Sequence, residues 1–251
     1  MNILVCIKPI KKEMVSESVD LSEKYCINPY DMFALREALK VKENTTGINI
    51  DCVCMGVKDA KEVLIRCIAM GADEAYLLSD KLFAGSDTIA TSYILSKFIE
   101  TKAYDYIFCG SKSIDGETGQ VAFGLAERLN FGCVTKVLEI TEAAGNALTM
   151  IRSEEKSDSI LKADGKTVVV FDNFGMEIAI SLIGMKYANR RTINVLSGQE
   201  LGTIPSQCGL KGSRTQIEGA TDILEKRECQ YIDNDVKKQA QFLQELISLN
   251  G

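Results

Sequence analysis

A glycine-rich segment between Gly110 and Val121 carries the clearest chemical signal in the chain. It follows the apolar run at residues 106–108 and leads into a helical pattern, so it connects a predicted strand to a predicted helix. Free backbone N–H groups at such a turn, with the positive end of a helix dipole behind them, attract anions. The segment therefore predicts a phosphate site.

Polar side chains in and near this segment suit a phosphorylated ligand. Thr118 offers a hydroxyl and Gln120 an amide to a phosphate or a flavin edge, while Lys8 and Lys112 supply positive charge. Each lysine is equally well explained as a solvated residue at a strand end. Neither GxGxxG nor GxxxxGK[ST] occurs, which excludes the common dinucleotide fingerprint and the Walker loop and leaves a nucleotide site of another kind.

Asp115 and Glu117 are two carboxylates that allow two interpretations. They form a candidate acid–base pair, or they cap the helix that follows. Capping is favoured, because acidic side chains in a first helical turn are stabilised by the helix dipole. The chain has no histidine, which removes the usual Ser-His and Cys-His nucleophile pairs and disfavours hydrolytic chemistry.

Composition and charge exclude several classes of partner. A formal net charge of -6 provides no basic field for nucleic acid or anionic lipid. The apolar runs fall short of the roughly 20 residues that span a bilayer, and no signal peptide is recognised. Nine cysteines without metal-ligand spacing indicate reduced thiols and core packing. These features predict a cytoplasmic protein that neither binds nucleic acid nor inserts into membranes.

Strand-like and helix-like patterns alternate through the first half of the chain. The predicted strands are 2–7, 48–55, 75–78 and 105–109, and the predicted helices are 29–42, 59–70, 87–100 and 117–129. Such alternation indicates an α/β fold of the doubly wound type, with an open and mostly parallel sheet flanked by helices.

The pattern changes after Gly132. Strand-like stretches at 134–140, 147–153 and 168–171, with a hairpin turn at 144–146, are expected to extend the same sheet. From about Thr192 the apolar content falls, and the only late periodic element is 236–249. We therefore expect a nucleotide-binding domain at residues 1–191 and a C-terminal arm and helix at 192–251 that packs on a partner subunit.

Four turns are expected to meet at the edge of the sheet where its strands end. They are Lys8-Pro9, Met55-Gly56, the segment 83–88 and the segment 110–120. In an open parallel sheet, ligands gather at this edge. Convergence of several polar or glycine-rich turns is a stronger signal than any one of them.

Several motifs together resemble the beta subunit of electron transfer flavoproteins over most of the chain. They are the strand start ILVCIK (3–8), the helix entry INPYD (27–31), the helix end AMGAD (69–73), FAGSDT (83–88) and KSIDGETGQV (112–121). The resemblance implies a heterodimer with an alpha subunit, an adenine nucleotide in the beta subunit, and electron exchange with a dehydrogenase. No catalytic or metal-ligating side chain is expected, because the redox chemistry belongs to the cofactor.

The turns and the resemblance together define the candidate cofactor site. Its predicted residues are Cys6, Lys8, Asn28, Asp31, Met55, Gly56, Gly85, Asp87, Thr88, Gly110, Lys112, Asp115, Gly116, Glu117, Thr118, Gly119, Gln120 and Val121.

The short form of the 114–120 loop resembles the electron-bifurcating branch of this family. That branch implies FAD in place of structural AMP, NADH as the electron donor, and two acceptors. One acceptor is a ferredoxin or flavodoxin, and the other is a flavin-dependent dehydrogenase, acyl-CoA dehydrogenase-like or other, reached through the alpha-subunit FAD. On this view the chain is a subunit of an NADH-dependent oxidoreductase complex. Two alternatives stay open: a conventional electron carrier with AMP, and a nucleotide-sensing module without a redox role.

The dehydrogenase-docking region departs from the family pattern. This chain has FGMEIA at 174–179 and then MKYANRR at 185–191. The position suits docking, whereas the sequence is unusual for it. The apolar residues Ile178, Ile180, Leu182 and Ile183 are expected either at the surface for docking or in the core.

Overall fold

The structure is a computed structural model that describes residues 1–14, 24–175, 178–215 and 236–249. The chain divides into two compact units, Met1–Gln216 and Ile217–Gly251. The first unit contains the sheet. In the second unit the described part is one helix, Val236–Leu249, which has the bounds predicted from its periodicity.

The described residues contain eleven strands in chain order. They are β1 (Asn2–Cys6), β2 (Pro9–Lys11), β3 (Tyr25–Ile27), β4 (Asn49–Met55), β5 (Glu74–Leu78), β6 (Tyr106–Gly110), β7 (Gly132–Ala144), β8 (Ala147–Ser153), β9 (Asp158–Asp164), β10 (Thr167–Phe171) and β11 (Asn194–Leu196).

Nine of these strands form a single sheet in the order β11-β5-β4-β1-β6-β10-β7-β8-β9. The strands from β11 to β7 pair in parallel, and β8 and β9 continue the sheet as antiparallel strands. β2 and β3 form a separate antiparallel ribbon. The predicted α/β class with a mostly parallel sheet is therefore confirmed, and so is the hairpin that extends it.

Helices cover both faces of the sheet. They are α1 (Pro29–Asn44), α2 (Lys61–Met70), α3 (Thr88–Ile99), α4 (Val121–Leu129), α5 (Leu182–Ala188) and the short α6 (Gly209–Gly212), with α7 (Val236–Leu249) in the second unit. The buried side chains of α1 and α2 pack on one face of the sheet, and those of α3 and α4 pack on the other face.

Burial on both faces explains the continuous apolar strands. Ile3, Leu4 and Val5 of β1 are fully buried, although successive side chains point to opposite sides of the sheet. Ile3 and Val5 belong to the cluster under α1 and α2, whereas Leu4 belongs to the cluster under α3 and α4. An uninterrupted apolar run is what such a strand requires.

The fourth helix begins later than its pattern predicts. The prediction placed its start at Glu117, but α4 begins at Val121. Glu117 has φ of 51° and Gly119 has φ of 62°, so the chain passes through left-handed conformations that a right-handed helix does not tolerate. The four residues before the helix are therefore part of the loop.

The sheet unit also extends beyond the boundary predicted after residue 191. Asn194–Leu196 pairs in parallel with β5, and the Asp87 N–H donates to Ser213 Oγ over 2.8 Å. A three-residue edge strand has too little periodicity to be recognised in the sequence. Among the helices of the described residues, none combines the length and apolar character needed to cross a bilayer.

Candidate functional site

A crevice is expected where the chain changes direction across the sheet, between β1 and β6. β1 is followed along the chain by α1 on one face, and β6 is followed by α4 on the other. The connections after these neighbouring strands therefore leave to opposite faces. Open α/β sheets bind ligands at such a point, outside the carboxyl ends of the strands. The loops after both strands belong to the predicted site.

Asp31, in the first turn of α1, joins the ends of the two strands. Its Oδ2 accepts the Lys8 N–H over 2.8 Å, and its Oδ1 accepts the Gly110 N–H over 3.1 Å. Burial raises the pKa of this carboxyl to about 7, and its hydrogen bonds with Lys8, Asn28 and Gly110 offset only part of that rise. The Gly110 amide, which belongs to the turn predicted to bind a phosphate, is thus bound within the protein.

Gly110 is required by the close approach of α1 to the end of β6. A Cβ atom at this position would lie 2.5 Å from Asp31 Oδ1 and 2.6 Å from Tyr30 Cβ. No ordinary side chain fits there without moving the first turn of α1. Gly110 therefore permits the contact that brings Asp31 between the strands.

Asn28 fixes the loop after β6. It occupies the N-cap position of α1, as predicted, but its side chain makes no capping bond. Instead, Asn28 Nδ2 donates to the Lys112 carbonyl over 2.8 Å, and the Ile114 N–H donates to Asn28 Oδ1 over 3.4 Å. Since Asn28 is 1% exposed, these bonds hold the loop against a buried support.

Lys8 reaches into the same loop. Its Nζ lies 2.5 Å from Asp115 Oδ1 and 3.0 Å from Ser113 Oγ. Burial raises the pKa of Asp115, but the bonds and charge of Lys8 and the bond of Ser113 outweigh it, so the net pKa is lowered. Asp115 is therefore an ion-pair partner. The prediction that it caps the following helix is wrong, because that helix begins only at Val121.

Lys112 forms the second ion pair of the loop. Its Nζ lies 3.5 Å from Glu117 Oε1 and 5.8 Å from the centroid of the Tyr30 ring. Glu117 was also predicted to cap the helix, but its left-handed backbone and position before Val121 place it in the loop. Gly116, between the two carboxylates, lies close to Lys8 and Ser113.

The start of α4 presents backbone N–H groups that no side chain of the described residues caps. Gln120 occupies the N-cap position, but its side chain accepts no hydrogen bond from the first N–H groups of the helix. Instead, its Nε2 donates to the Thr118 carbonyl over 3.2 Å. The first N–H groups of a helix that lacks a side-chain cap suit an anion. A Cβ atom on Gly119 would lie 2.9 Å from the Ser111 carbonyl oxygen, so the turn is tight.

Ser111 is a site residue that the sequence analysis missed. Its Oγ is buried and has no hydrogen-bond partner within the described part of the chain. An unpaired buried hydroxyl costs free energy, and a ligand oxygen at the crevice would satisfy it. The only signal in the sequence was its place between two predicted residues, Gly110 and Lys112. Together with the free start of α4, Ser111 fits a phosphorylated ligand.

The remaining predicted residues lie at the same edge of the sheet. Cys6 and Met55 end β1 and β4, and both are partly exposed. The Gly56 N–H donates to the Leu78 carbonyl over 3.1 Å, and a Cβ atom there would lie 3.4 Å from Pro9 and Ala60. These positions can line a crevice, but they offer little polar chemistry of their own.

The segment around Asp87 has a structural role. Asp87 caps α3 through the N–H groups of Ile89 and Ala90, and its other oxygen accepts those of Arg214 and Thr215. The helix start at Thr88 follows from this cap.

Gly85, with φ of 75°, packs against Leu210, where a Cβ atom would lie 2.6 Å from that side chain. Contact between a nucleotide and Gly85, Asp87 or Thr88 stays a prediction.

The region that the sequence analysis considered for docking presents two apolar residues at the surface. Leu182 is 91% exposed and Ile183 is 83% exposed, at the start of α5. Ile178 and Ile180 instead pack against the core under α1 and α2. Of the two locations that the sequence left open, Leu182 and Ile183 therefore lie at the surface, and Ile178 and Ile180 lie against the core.

The fold defines a doubly wound α/β protein, and its candidate ligand site lies at the carboxyl ends of the strands. The sequence profile described as "Electron transfer flavoprotein domain" matches residues 16–173. The chain belongs to the electron transfer flavoprotein family, whose members take part in electron transport.

Its relatives include subunits of known complexes. It is 35% identical to the electron transfer flavoprotein subunit beta of Thermoanaerobacterium thermosaccharolyticum, over 99% of this chain and 98% of that protein. It is 34% identical to the caffeyl-CoA reductase-Etf complex subunit CarD of Acetobacterium woodii, over 86% of each chain. It is also 34% identical to protein FixA of Bradyrhizobium diazoefficiens, over 89% of this chain and 81% of that protein. These similarities place it with the beta subunits and FixA.

Proposed function

We propose that this chain is the beta subunit of an electron-bifurcating electron transfer flavoprotein and that it holds FAD in the crevice between β1 and β6. NADH is the electron donor. The acceptors are a ferredoxin or flavodoxin and, through FAD in the alpha subunit, a partner dehydrogenase. The observation that carries the proposal is the start of α4, which lacks a side-chain cap, together with the buried Ser111 hydroxyl, which has no hydrogen-bond partner among the residues that the structure describes.

Each part of the crevice has a task in holding the cofactor. Lys8 and Lys112 lie in or beside the loop that precedes α4, and their ammonium groups, although each is paired with a carboxylate, can donate further hydrogen bonds to a diphosphate. Ser111 can donate its hydroxyl to a phosphate oxygen. Asp31 and Asn28 are positioning residues. Asp31 holds the end of β6 and Asn28 holds the loop that follows it, and both side chains are already hydrogen-bonded within the protein.

The flavin supplies the chemistry when bound, accepting a hydride and passing on single electrons. The short loop supports FAD over AMP, since it leaves space for the ribityl chain and the isoalloxazine. The relative named as part of a caffeyl-CoA reductase-Etf complex supports a complex with a reductase or dehydrogenase. We further propose a cytoplasmic heterodimer in which the arm formed by residues 217–251 packs on the alpha subunit.

The exposed pair Leu182 and Ile183 is proposed as part of the dehydrogenase contact. Exposure of two adjacent apolar side chains to water costs free energy, and a protein partner that buries them would recover it. α5 packs against α2, where a Cβ atom on Gly184 would lie 2.5 Å from the Ala69 carbonyl oxygen. The close packing presents the apolar pair on a firm support.

The test is to co-express the chain with its alpha subunit, release the bound nucleotides and identify them. Flavin absorption and mass should give two FAD molecules per heterodimer under this proposal. One FAD and one AMP would support the conventional carrier instead. A readily lost nucleotide and no alpha subunit in the purified sample would support the sensing module.

A matched pair of glycine variants links the ligand to the loop. Gly119 and Gly145 have nearly the same backbone, with φ of 62° and 61°. Gly145 lies in the β7–β8 hairpin, where an added Cβ atom would meet nothing within 4 Å, whereas Gly119 lies against Ser111. Gly119→Ala should lower FAD content severalfold, and Gly145→Ala should leave it unchanged. Equal FAD content in both variants would move the ligand away from this loop.

A further inference from the structure

The lysines of the crevice are both neutralised by carboxylates of one loop. Lys8 Nζ lies 2.5 Å from Asp115 Oδ1, and Lys112 Nζ lies 3.5 Å from Glu117 Oε1. The two pairs differ in burial. The Asp115 side chain is 28% exposed, whereas that of Glu117 is 68% exposed. Asp115 is thus the carboxylate that water screens less.

We propose that Asp115 is a specificity-determining residue that selects a phosphodiester over a phosphomonoester at this crevice. The inference rests on the proposed function, because it concerns the same nucleotide site. It distinguishes the diphosphate of a dinucleotide such as FAD from the terminal phosphate of AMP by charge. Room for the flavin is a separate matter of loop length.

The two phosphate classes differ in charge at neutral pH. A phosphomonoester carries about −1.5 to −2, since its second pKa is near 6. A phosphate that is esterified twice carries one negative charge, as each link of a nucleic-acid backbone does. The diphosphate of FAD therefore spreads its charge over two phosphorus centres, whereas AMP concentrates it on one.

The Lys8–Asp115 ion pair converts this difference in phosphate charge into a difference in affinity. When a phosphate oxygen accepts from Lys8 Nζ over about 3 Å, the centre of the phosphate charge lies roughly 6 Å from the centre of the Asp115 carboxylate, because Nζ is 2.5 Å from Asp115 Oδ1. At that separation, each additional ligand charge weakens binding by about 3-fold in a water-like medium and by about 100-fold at an effective dielectric constant near 20. Partial burial of Asp115 places the effect between these limits, at about 10-fold.

Asp115 carries its negative charge at neutral pH. Its burial alone would raise the pKa, but Lys8 and Ser113 hold the net pKa below its ordinary value. The carboxylate is therefore ionised at neutral pH. The positive charge of Lys8 is therefore already paired with a carboxylate when a ligand arrives, and that carboxylate repels each further negative charge on the ligand's phosphate.

The experiment compares two ligands that differ by a single methyl group. AMP and its 5′-methyl phosphodiester share the base and the ribose. Any effect of the added methyl group itself is present in wild type and variant alike, so the change of their affinity ratio on mutation reports the interaction of Asp115 with phosphate charge. The full chain, stripped of nucleotide, is titrated with each ligand by calorimetry, and FAD is titrated in parallel. In Asp115→Asn the affinity for AMP should rise about 10-fold more than the affinity for the methyl diester.

Two variants act as controls for charge and for contact. Ser113→Ala removes the hydroxyl that accepts a hydrogen bond from Lys8 Nζ without changing the net charge, and it should leave the affinity ratio within about 2-fold of wild type. Glu117→Gln removes a more exposed charge and should change the ratio by less than about 3-fold. Thermal melts of each variant verify that the fold is retained.

The outcomes separate this inference from the proposed function. Wild-type binding of FAD together with an unchanged ratio in Asp115→Asn would overturn the charge selection and leave the nucleotide site intact. A wild-type chain that binds none of the three ligands, alone or with the alpha subunit, would overturn both. A rise in the ratio that Ser113→Ala reproduces would show that contact geometry, and not charge, decides the preference.

Discussion

Replacement of Asp31 by Asn should remove a large part of the pH dependence of stability. Asp31 is 7% exposed, and its pKa in the folded chain is about 7 against an ordinary 3.8, chiefly because of burial. Between these values the folded chain keeps a proton that the unfolded chain has released. The contribution of Asp31 to the free energy of unfolding therefore falls as pH rises through this window and is constant outside it.

The size of the effect follows from the two pKa values. At about 1.4 kcal/mol for each tenfold change in proton affinity, the difference between 3.8 and about 7 corresponds to about 4 kcal/mol. Asn cannot titrate, so Asp31→Asn should lose this slope. It also leaves the Lys8 or the Gly110 N–H without an acceptor, which costs about 1–3 kcal/mol at all pH values.

The assay is urea unfolding of the full chain followed by far-UV circular dichroism, from about pH 4 to about pH 8. Circular dichroism is needed because the chain has no tryptophan. The charged group that faces Asp31 is Lys8, whose positive charge lowers the pKa of that carboxyl and so offsets part of the rise caused by burial. A variant that keeps the wild-type slope would refute the reasoning.

Glu37 provides a matched control on the same helix. It is 4% exposed, accepts the Ile140 N–H over 2.8 Å, and has a pKa raised chiefly by burial. Glu37→Gln should remove its own contribution and leave that of Asp31. Only Asp31→Asn should also alter nucleotide binding, because Glu37 contacts β7 and not the crevice. Equal effects of both variants on nucleotide binding would contradict this assignment.

Three further predictions test other parts of the structure. Gly110→Ala should lower stability by about 1–3 kcal/mol in urea unfolding and weaken FAD binding, because its Cβ would overlap Asp31; a neutral result would show that α1 can shift. Truncation after residue 216 should preserve the circular dichroism of the sheet unit but abolish co-purification with the alpha subunit; full retention would refute the proposed arm. Leu182→Asp should leave the melting temperature within about 2 °C and slow electron transfer to the dehydrogenase, with exposed Ile160→Asp as the control.

Local patterns predicted the elements well where the sequence carries its own signals. Pro29 at the first position of α1 marked its start, and Gly71, with φ of 127°, marked the end of α2. β9 was not predicted because it is an edge strand whose residues alternate between exposed and partly buried, with little apolar content. Local rules therefore succeed at caps and buried runs and fail at solvent-facing edges.

The loop before α4 shows how a sound local rule can mislead. Acidic residues ahead of a helix usually cap it, and both Asp115 and Glu117 stood in that position. The structure pairs them with lysines instead, and Lys8 is 107 residues away from Asp115 in the chain. A partner this distant leaves no trace in the local pattern.

By itself, the sequence determined the α/β class, most element bounds, the family and the loops that meet at the crevice, because periodicity, caps and motifs act over a few residues. Only the tertiary structure decided what the polar groups there do. It assigned Asp31 to the backbone of two strands, Asn28 to a loop and Asp115 to Lys8, and it left Ser111 without a partner within the described residues. Hydrogen bonds and ion pairs depend on distances of a few ångströms between residues far apart in the chain, and folding alone sets those distances.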